Sequence, residues 1–189
     1  LHQTISSSFG MVNINVTENA SSLSEVTGSS TTTSSGGAAS SLIISIDMIY
    51  EFQNYIDKSY FIKATGPIMS SDNSGFFLGA AGMNFYFNSL SSLFSFSDGG
   101  TNLIMRPSFR YYVGAAAGVG FLVYTLSTAK KSDLIFDIEL HGGLNISIGK
   151  RWGIRGEAAV SRGVGISTSN IGIKAFMGLN YYLETKNFF

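Results

Sequence analysis

The sequence predicts an all-β protein, a transmembrane antiparallel up-and-down β-barrel of eight strands with a side-chain-filled interior. Three observations support this. Apolar and polar residues alternate in segment after segment, as they do in strands with two different faces. Only 13% of the residues are charged, against about 25% in ordinary soluble proteins. Aromatic residues gather at one end of the predicted strands.

The clearest alternation runs from 134 to 148. Its even positions carry large apolar residues, namely Leu134, Phe136, Ile138, Leu140, Leu144, Ile146 and Ile148. Polar residues lie between them, so one face is apolar and the other polar. The uncharged segment 111–126 could suggest a membrane helix, but it is shorter than the roughly 20 residues that a helix needs. It also alternates, which favours a strand.

We predict one domain, 1–189, with strands at 3–16, 41–51, 59–68, 76–88, 109–127, 134–148, 152–161 and 170–183. In the first strand, Ile5 and Phe9 share one parity while Val12 and Ile14 share the other. We expect a β-bulge near Gly10 to reconcile them. The Ser/Thr/Gly-rich segment 17–40 predicts a mobile extracellular loop. Segment 89–108 predicts a long periplasmic turn, because its Pro107 would interrupt a ladder.

Ionisable residues within the predicted strand cores all fall on the inward face. A charge on a lipid-facing surface costs about 2–4 kcal/mol at the midplane, which explains this placement. The interior of an eight-stranded barrel is narrow enough for side chains to fill it, so opposite charges can pair there. The predicted lumen polar network comprises Asp47, Glu51, Lys63, Arg110, Asp137, Glu139, His141, Arg155, Glu157 and Lys174.

Aromatic residues collect at the strand ends that share the short turns. Short turns are typical of the periplasmic side of a bacterial barrel, and aromatic rings favour the membrane interface. The predicted girdle comprises Tyr50, Phe52, Tyr60, Phe85, Phe87, Trp152, Tyr181 and Tyr182.

Three passages resemble the OmpA/OmpX-type eight-stranded outer-membrane barrels of Gram-negative bacteria. They are Tyr112–Gly120, the turn Arg151–Glu157, and Gly178–Leu183, which is similar to the terminal-strand signal that the barrel assembly machinery reads. The resemblance spans the architecture of the chain, but its motifs are generic. It implies a fold, an outer-membrane location, and contact with outer-membrane lipid, lipopolysaccharide and the assembly machinery, without implying an activity.

The composition narrows the range of functions. The formal net charge of zero gives no support for a nucleic-acid partner, and the absence of cysteine removes disulfides and thiolate metal sites. We predict no cofactor, no metal and no catalytic residue. The leading hypothesis is a structural or surface-exposed membrane protein with a plugged lumen, which could bind a protein partner through 17–40 or 89–108.

Two alternatives stay open. One is a lipid A-modifying enzyme, because His141 shares a face with Glu139 and a neighbouring strand brings Glu157 inward. The other is a channel for small hydrophobic solutes, because the glycines between Gly114 and Gly120 could leave space inside the barrel. We expect those glycines instead to accommodate large neighbours such as Phe61, Phe76 or Tyr86.

Overall fold

The computed structural model of the chain describes residues 2–18, 38–53, 57–70, 74–87, 94–98, 101–105, 108–126, 129–149 and 151–183. These residues form ten strands: β1 (His2–Glu18), β2 (Ala38–Gln53), β3 (Lys58–Ser70), β4 (Gly75–Tyr86), β5 (Phe94–Asp98), β6 (Thr101–Met105), β7 (Phe109–Leu126), β8 (Ala129–Ile148), β9 (Trp152–Gly165) and β10 (Thr168–Leu183).

Eight of these strands close into one antiparallel barrel. The order around the wall is β1-β10-β9-β8-β7-β4-β3-β2, and the pairing of β2 with β1 completes the ring. Each strand therefore neighbours the strands that precede and follow it, apart from the β5–β6 insertion. The predicted eight-stranded up-and-down barrel is confirmed. In the part of the chain that the structure describes, no helix has the length and apolar character needed to cross a membrane.

Several strands are longer than the sequence analysis predicted. The ends of the predicted loop 17–40 are strand, since β1 runs to Glu18 and β2 begins at Ala38. Residues 19–37 lie outside the described residues. The predicted loop 162–169 shortens to two residues between β9 and β10, because Asp133 accepts hydrogen bonds from the Ser167 amide (2.9 Å) and the Thr168 hydroxyl (2.8 Å). These bonds stabilise a tight turn that periodicity alone did not indicate.

The expected bulge in β1 is wrong. Pairing with both neighbours continues through Gly10 without a shift. The apolar residues change face instead: Phe9 points outward and is 59% exposed, whereas Val12 points inward and is 0% exposed. Beyond Met11 the outward positions are polar, as at Asn13 and Asn15. From Val12 onward, β1 thus has an apolar inner face and a polar outer face. An irregularity lies elsewhere, in the β2–β3 register between Ile44 and Ser45.

The segment 89–108 is more than a turn. It contains β5 and β6, which pair as a separate two-stranded sheet from Phe94↔Met105 to Asp98↔Thr101. Gly99 and Gly100 separate the two strands in the sequence and lie outside the described residues. The hairpin connects β4 to β7, so it lies at the same end of the barrel as the short β8–β9 turn. Gly149 in that turn has φ +77°, a conformation that favours glycine.

Candidate functional site

The inward face of the barrel carries the predicted lumen residues. Nine of the ten are buried: Asp47, Glu51, Lys63, Asp137, Glu139, His141, Arg155, Glu157 and Lys174. Arg110 is partly exposed. They come from β2, β3, β7, β8, β9 and β10, and strand alternation alone puts them on one face.

Arg155 lies at the centre of this face and is 1% exposed. Its Nη1 donates to Glu51 Oε2 (3.0 Å) and its Nη2 donates to Glu157 Oε2 (2.6 Å). The guanidinium carbon also lies 4.8 Å from the ring centroid of Tyr112. A guanidinium forms several directed bonds at once, so a single residue links strands on opposite sides of the lumen.

A second set of ion pairs lies beside the first. Lys63 bonds Glu139, and its Nζ lies 4.0 Å from Glu157 Oε1. Lys174 donates to the other oxygen of Glu139 (2.7 Å) and to Asp137 (3.3 Å). Lys63 therefore joins this set to the Arg155 set. Charged side chains from β3, β8, β9 and β10 thus pair with one another, and each would be costly to bury without a partner.

Glu51 organises a set of hydroxyl and amide groups. Its Oε1 accepts from Ser59 and Tyr86, and Asn84 Nδ2 lies 3.4 Å away. This contact orients the Asn84 amide, so that its oxygen faces His141 Nε2 at 2.7 Å. The other ring nitrogen of His141 lies 3.4 Å from Glu139 Oε1.

The predicted network omits several residues that take part. Tyr86 binds Glu51, Tyr112 donates to Glu157 (2.6 Å), and Asn84 contacts His141. Arg110 lies apart from the ion pairs: it donates to Gln53 (3.1 Å) and stacks over the Tyr86 ring at 3.8 Å. The inward parity of these tyrosines is visible in the sequence. The partner that each hydroxyl selects is not, because it depends on the register between strands.

Three inward glycines lie under large side chains. A Cβ at Gly82 would lie 2.5 Å from Phe61, and one at Gly114 would lie 2.3 Å from His141 Nε2. Gly10 faces Phe176 in the same way. These three glycines admit bulky neighbours. Gly118 and Gly120 instead face the main chain of β4, where an added Cβ would lie 2.5 Å from the Gly79 carbonyl oxygen and 2.0 Å from that of Phe77. No open space lies beside any of the five.

Comparison with solved structures identifies similar barrels. Neisserial surface protein A, from Neisseria, superimposes with a TM-score of 0.56 at 10% identity, over 94% of this chain and 96% of that one. The N-terminal β-barrel domain of Pseudomonas aeruginosa OprF gives 0.52 at 9% identity, over 93% and 97%. Comparison with protein-family models and with curated sequences gives no match. At this identity the likeness shows the fold alone.

Aromatic side chains form contacting pairs at the end of the barrel that carries the short turns. Ring centroids are 5.8 Å apart for Phe52 and Tyr60, and 4.9 Å apart for Trp152 and Tyr181. The predicted girdle omitted Phe109 and Tyr111, which are exposed there; Tyr111 stacks on Phe87 at 5.7 Å.

Tyr182 was assigned to the wrong face. It has the same parity as the buried Asn180, and its hydroxyl lies 2.6 Å from where a Cβ on the inward Gly153 would be. It belongs to the inner face at this end of the barrel, not to the outward girdle.

Arg162 is an ionisable strand residue on the outer face, at a position that the sequence analysis assigned to a loop. It is exposed and pairs with Ile138 and Ile171. Trp152, on the same face, is ten residues earlier. That distance is about 33 Å along the strand and about 25 Å along the axis of a barrel tilted by ~40°. Arg162 therefore lies at the edge of the apolar band, where a long side chain reaches water.

Glu139, His141 and Glu157 form the group of described residues that most resembles a metal site. Their ligand atoms lie within 4.8 Å of one another. However, the same carboxylates already bind Lys63, Lys174 and Arg155. A metal ion would have to compete with these cations, so the donor set fits a salt-bridge network better than a metal centre.

Proposed function

We propose that the chain is an outer-membrane barrel with a plugged lumen, and that it acts through its exposed surface as a structural or partner-binding protein without catalysis. One observation carries the proposal: the Arg155–Glu51–Glu157 set crosses the lumen, and Tyr86 and Tyr112 pack beside it. Moving a hydrated ion through this level would require breaking several buried ion pairs.

The location rests on the faces of the strands. The outward side chains of the barrel are apolar and exposed over a band that ends in aromatic pairs. Such a surface is typical of barrels that cross the outer membrane of bacteria. The fold shared with Neisserial surface protein A and the OprF barrel domain supports the same location.

Current recording in planar bilayers tests the plugged lumen. We expect purified protein inserted at single-barrel density to give no ion conductance steps. The double variant Glu51→Ala/Arg155→Ala removes two crossing side chains and, if it folds, should give flickering conductance. Regular conductance steps from the unmodified protein would overturn the proposal.

A lipid A-modifying activity is the second candidate, and the position of His141 argues against it. Its ring nitrogens face Asn84 and Glu139, and neither residue supplies the serine hydroxyl that a Ser–His pair would activate. The ring is buried in mid-barrel, under Phe61 at 5.4 Å. Mass analysis of lipid A from cells with and without the protein decides the question, since a new lipid A species that disappears with His141→Gln would establish the enzyme.

Partner binding is tested by extraction from native outer membranes in a mild detergent, followed by the mass of the intact particle. The segments 17–40 and 89–108 are the proposed docking elements. A second protein of defined stoichiometry that is lost when either segment is shortened supports docking. A particle of one chain with lipid and detergent supports a structural role alone.

A further inference from the structure

The half of the lumen nearer the 19–37 connection differs from the half that holds the ion pairs. Above the ion pairs the inward side chains form an apolar cluster, comprising Val12, Ile14, Val16, Ile43, Phe76, Leu78, Leu122, Tyr124, Ile135 and Phe176. It lies towards the end of the barrel that carries the 19–37 connection. The lumen therefore has a polar floor and an apolar upper chamber.

The upper chamber contains a cavity of about 230 Å³. The ends of β1, β2 and β7, together with Ser74, line it. Its apolar wall comprises Ile14, Val16, Ala39, Ile43, Leu122, Val123 and Tyr124, and Ser40, Ser41, Ser74 and Thr125 add polar positions. An apolar cavity of about 150 Å³ in another protein holds benzene, so this one has room for a chain of roughly eight carbons.

Ser41 supplies a polar group to this cavity. It is 9% exposed, lines the cavity, and its hydroxyl has no hydrogen-bond partner among the described residues. A buried hydroxyl is normally bonded, so this one is available to a ligand.

We propose that this cavity binds one small free amphiphile, an alkyl or aryl group of about eight carbons with a single hydroxyl that bonds Ser41. The site goes beyond the proposed function, since it lies above the polar network and needs no passage through it.

The binding test uses 1-octanol as the probe and the full chain in lipid nanodiscs, with ¹³C-labelled isoleucine δ1 methyls. Contacts between the Ile138 methyl and lipid chains are checked first, so that failure of membrane insertion is distinguishable from failure of binding. We expect saturable shifts for Ile14 and Ile43, which line the cavity, and only a linear drift for Ile138. Non-saturable shifts at all three, or contacts from Ile14 to bilayer lipid chains before octanol is added, would overturn the free-ligand site.

A matched pair of serine variants tests the hydroxyl. Ser41 and Ser45 are both buried on the inner face of β2, and both hydroxyls lack a partner among the described residues, but Ser45 does not line the cavity. Ser41→Ala should weaken octanol binding about three- to tenfold, since one hydrogen bond is lost. Ser45→Ala should leave it unchanged. Equal effects from the two variants would contradict the role of Ser41.

Discussion

Arg155 shows how much a single side chain contributes to this barrel. It is buried, it donates to two carboxylates, and it packs over Tyr112. Without it, Glu51 and Glu157 would both lose their shared cation in a position that water does not reach.

We therefore expect Arg155→Met to lower the free energy of unfolding by about 3–5 kcal/mol. Urea titration in detergent micelles, followed by the heat-dependent shift in electrophoretic mobility, measures this. Arg162→Met is the matched control: this arginine lies on the outer face at the edge of the apolar band, so its loss should change stability by less than about 1 kcal/mol.

The triple variant Glu51→Gln/Arg155→Met/Glu157→Gln separates charge from packing. This variant removes the two carboxylate charges together with the cation. It should therefore be more stable than Arg155→Met, although less stable than the unmodified protein. If Arg155→Met unfolds at the same urea concentration as the unmodified protein, the network does not stabilise the barrel.

At the scale of the element, β4 and β7 show why glycine occurs on both faces for different reasons. A Cβ at Gly114, on the inner face of β7, would lie within 2.5 Å of His141, Asn84 and the Met83 carbonyl oxygen. At Gly79, on the outer face of β4, the nearest atom would be 4.0 Å away.

Gly114→Ala should accordingly lower the free energy of unfolding by about 1–3 kcal/mol, because the inner face has no room for a methyl group. Gly79→Ala should lie within about 0.5 kcal/mol of the unmodified protein. The same urea titration measures both. A Gly114→Ala barrel as stable as Gly79→Ala would mean that the inner face is loosely packed.

A pair of arginine substitutions on the outer face of β8 tests whether that face meets lipid or water. Leu144 lies on this face four residues from Ile148, which pairs with Trp152, so it is about 10 Å along the axis from the aromatic end and near the middle of the apolar band. Ser132 lies on the same face beyond the end of the apolar row. In lipid bilayers, Leu144→Arg should lower the free energy of unfolding by about 2–4 kcal/mol more than Ser132→Arg. Similar values for the two variants would place Leu144 in water.

The errors of sequence interpretation also belong to this scale. Alternation predicted the facing of β8 and β10 because one apolar period runs through most of each strand. It failed in β1, where the apolar residues change face above Met11 although the backbone does not shift. A two-residue period cannot distinguish a bulge from a change of solvent on the two faces.

For the whole molecule, the barrel and its inward charges could be predicted because lipid and a narrow lumen impose opposite demands on the two faces. The contacts within the lumen could not, since the Arg155–Glu51 bond joins residues 104 positions apart and depends on the register of every strand between them. The upper cavity was missed for the same reason. Its walls come from β1, β2 and β7, and no single strand reveals it.

The central claim is that one face of each strand meets lipid and the other meets a closed lumen. The most direct test is a spin-label scan of β8, with single cysteines introduced from 134 to 148 into the cysteine-free chain in lipid vesicles. We expect collision with oxygen to oscillate with a period of two, high at even positions and highest near 144, while a water-soluble nickel chelate collides poorly there. Positions 137, 139 and 141 should be shielded from both reagents. Strong nickel collisions at 140, 144 and 146 would contradict the account, because that face would then lie in water.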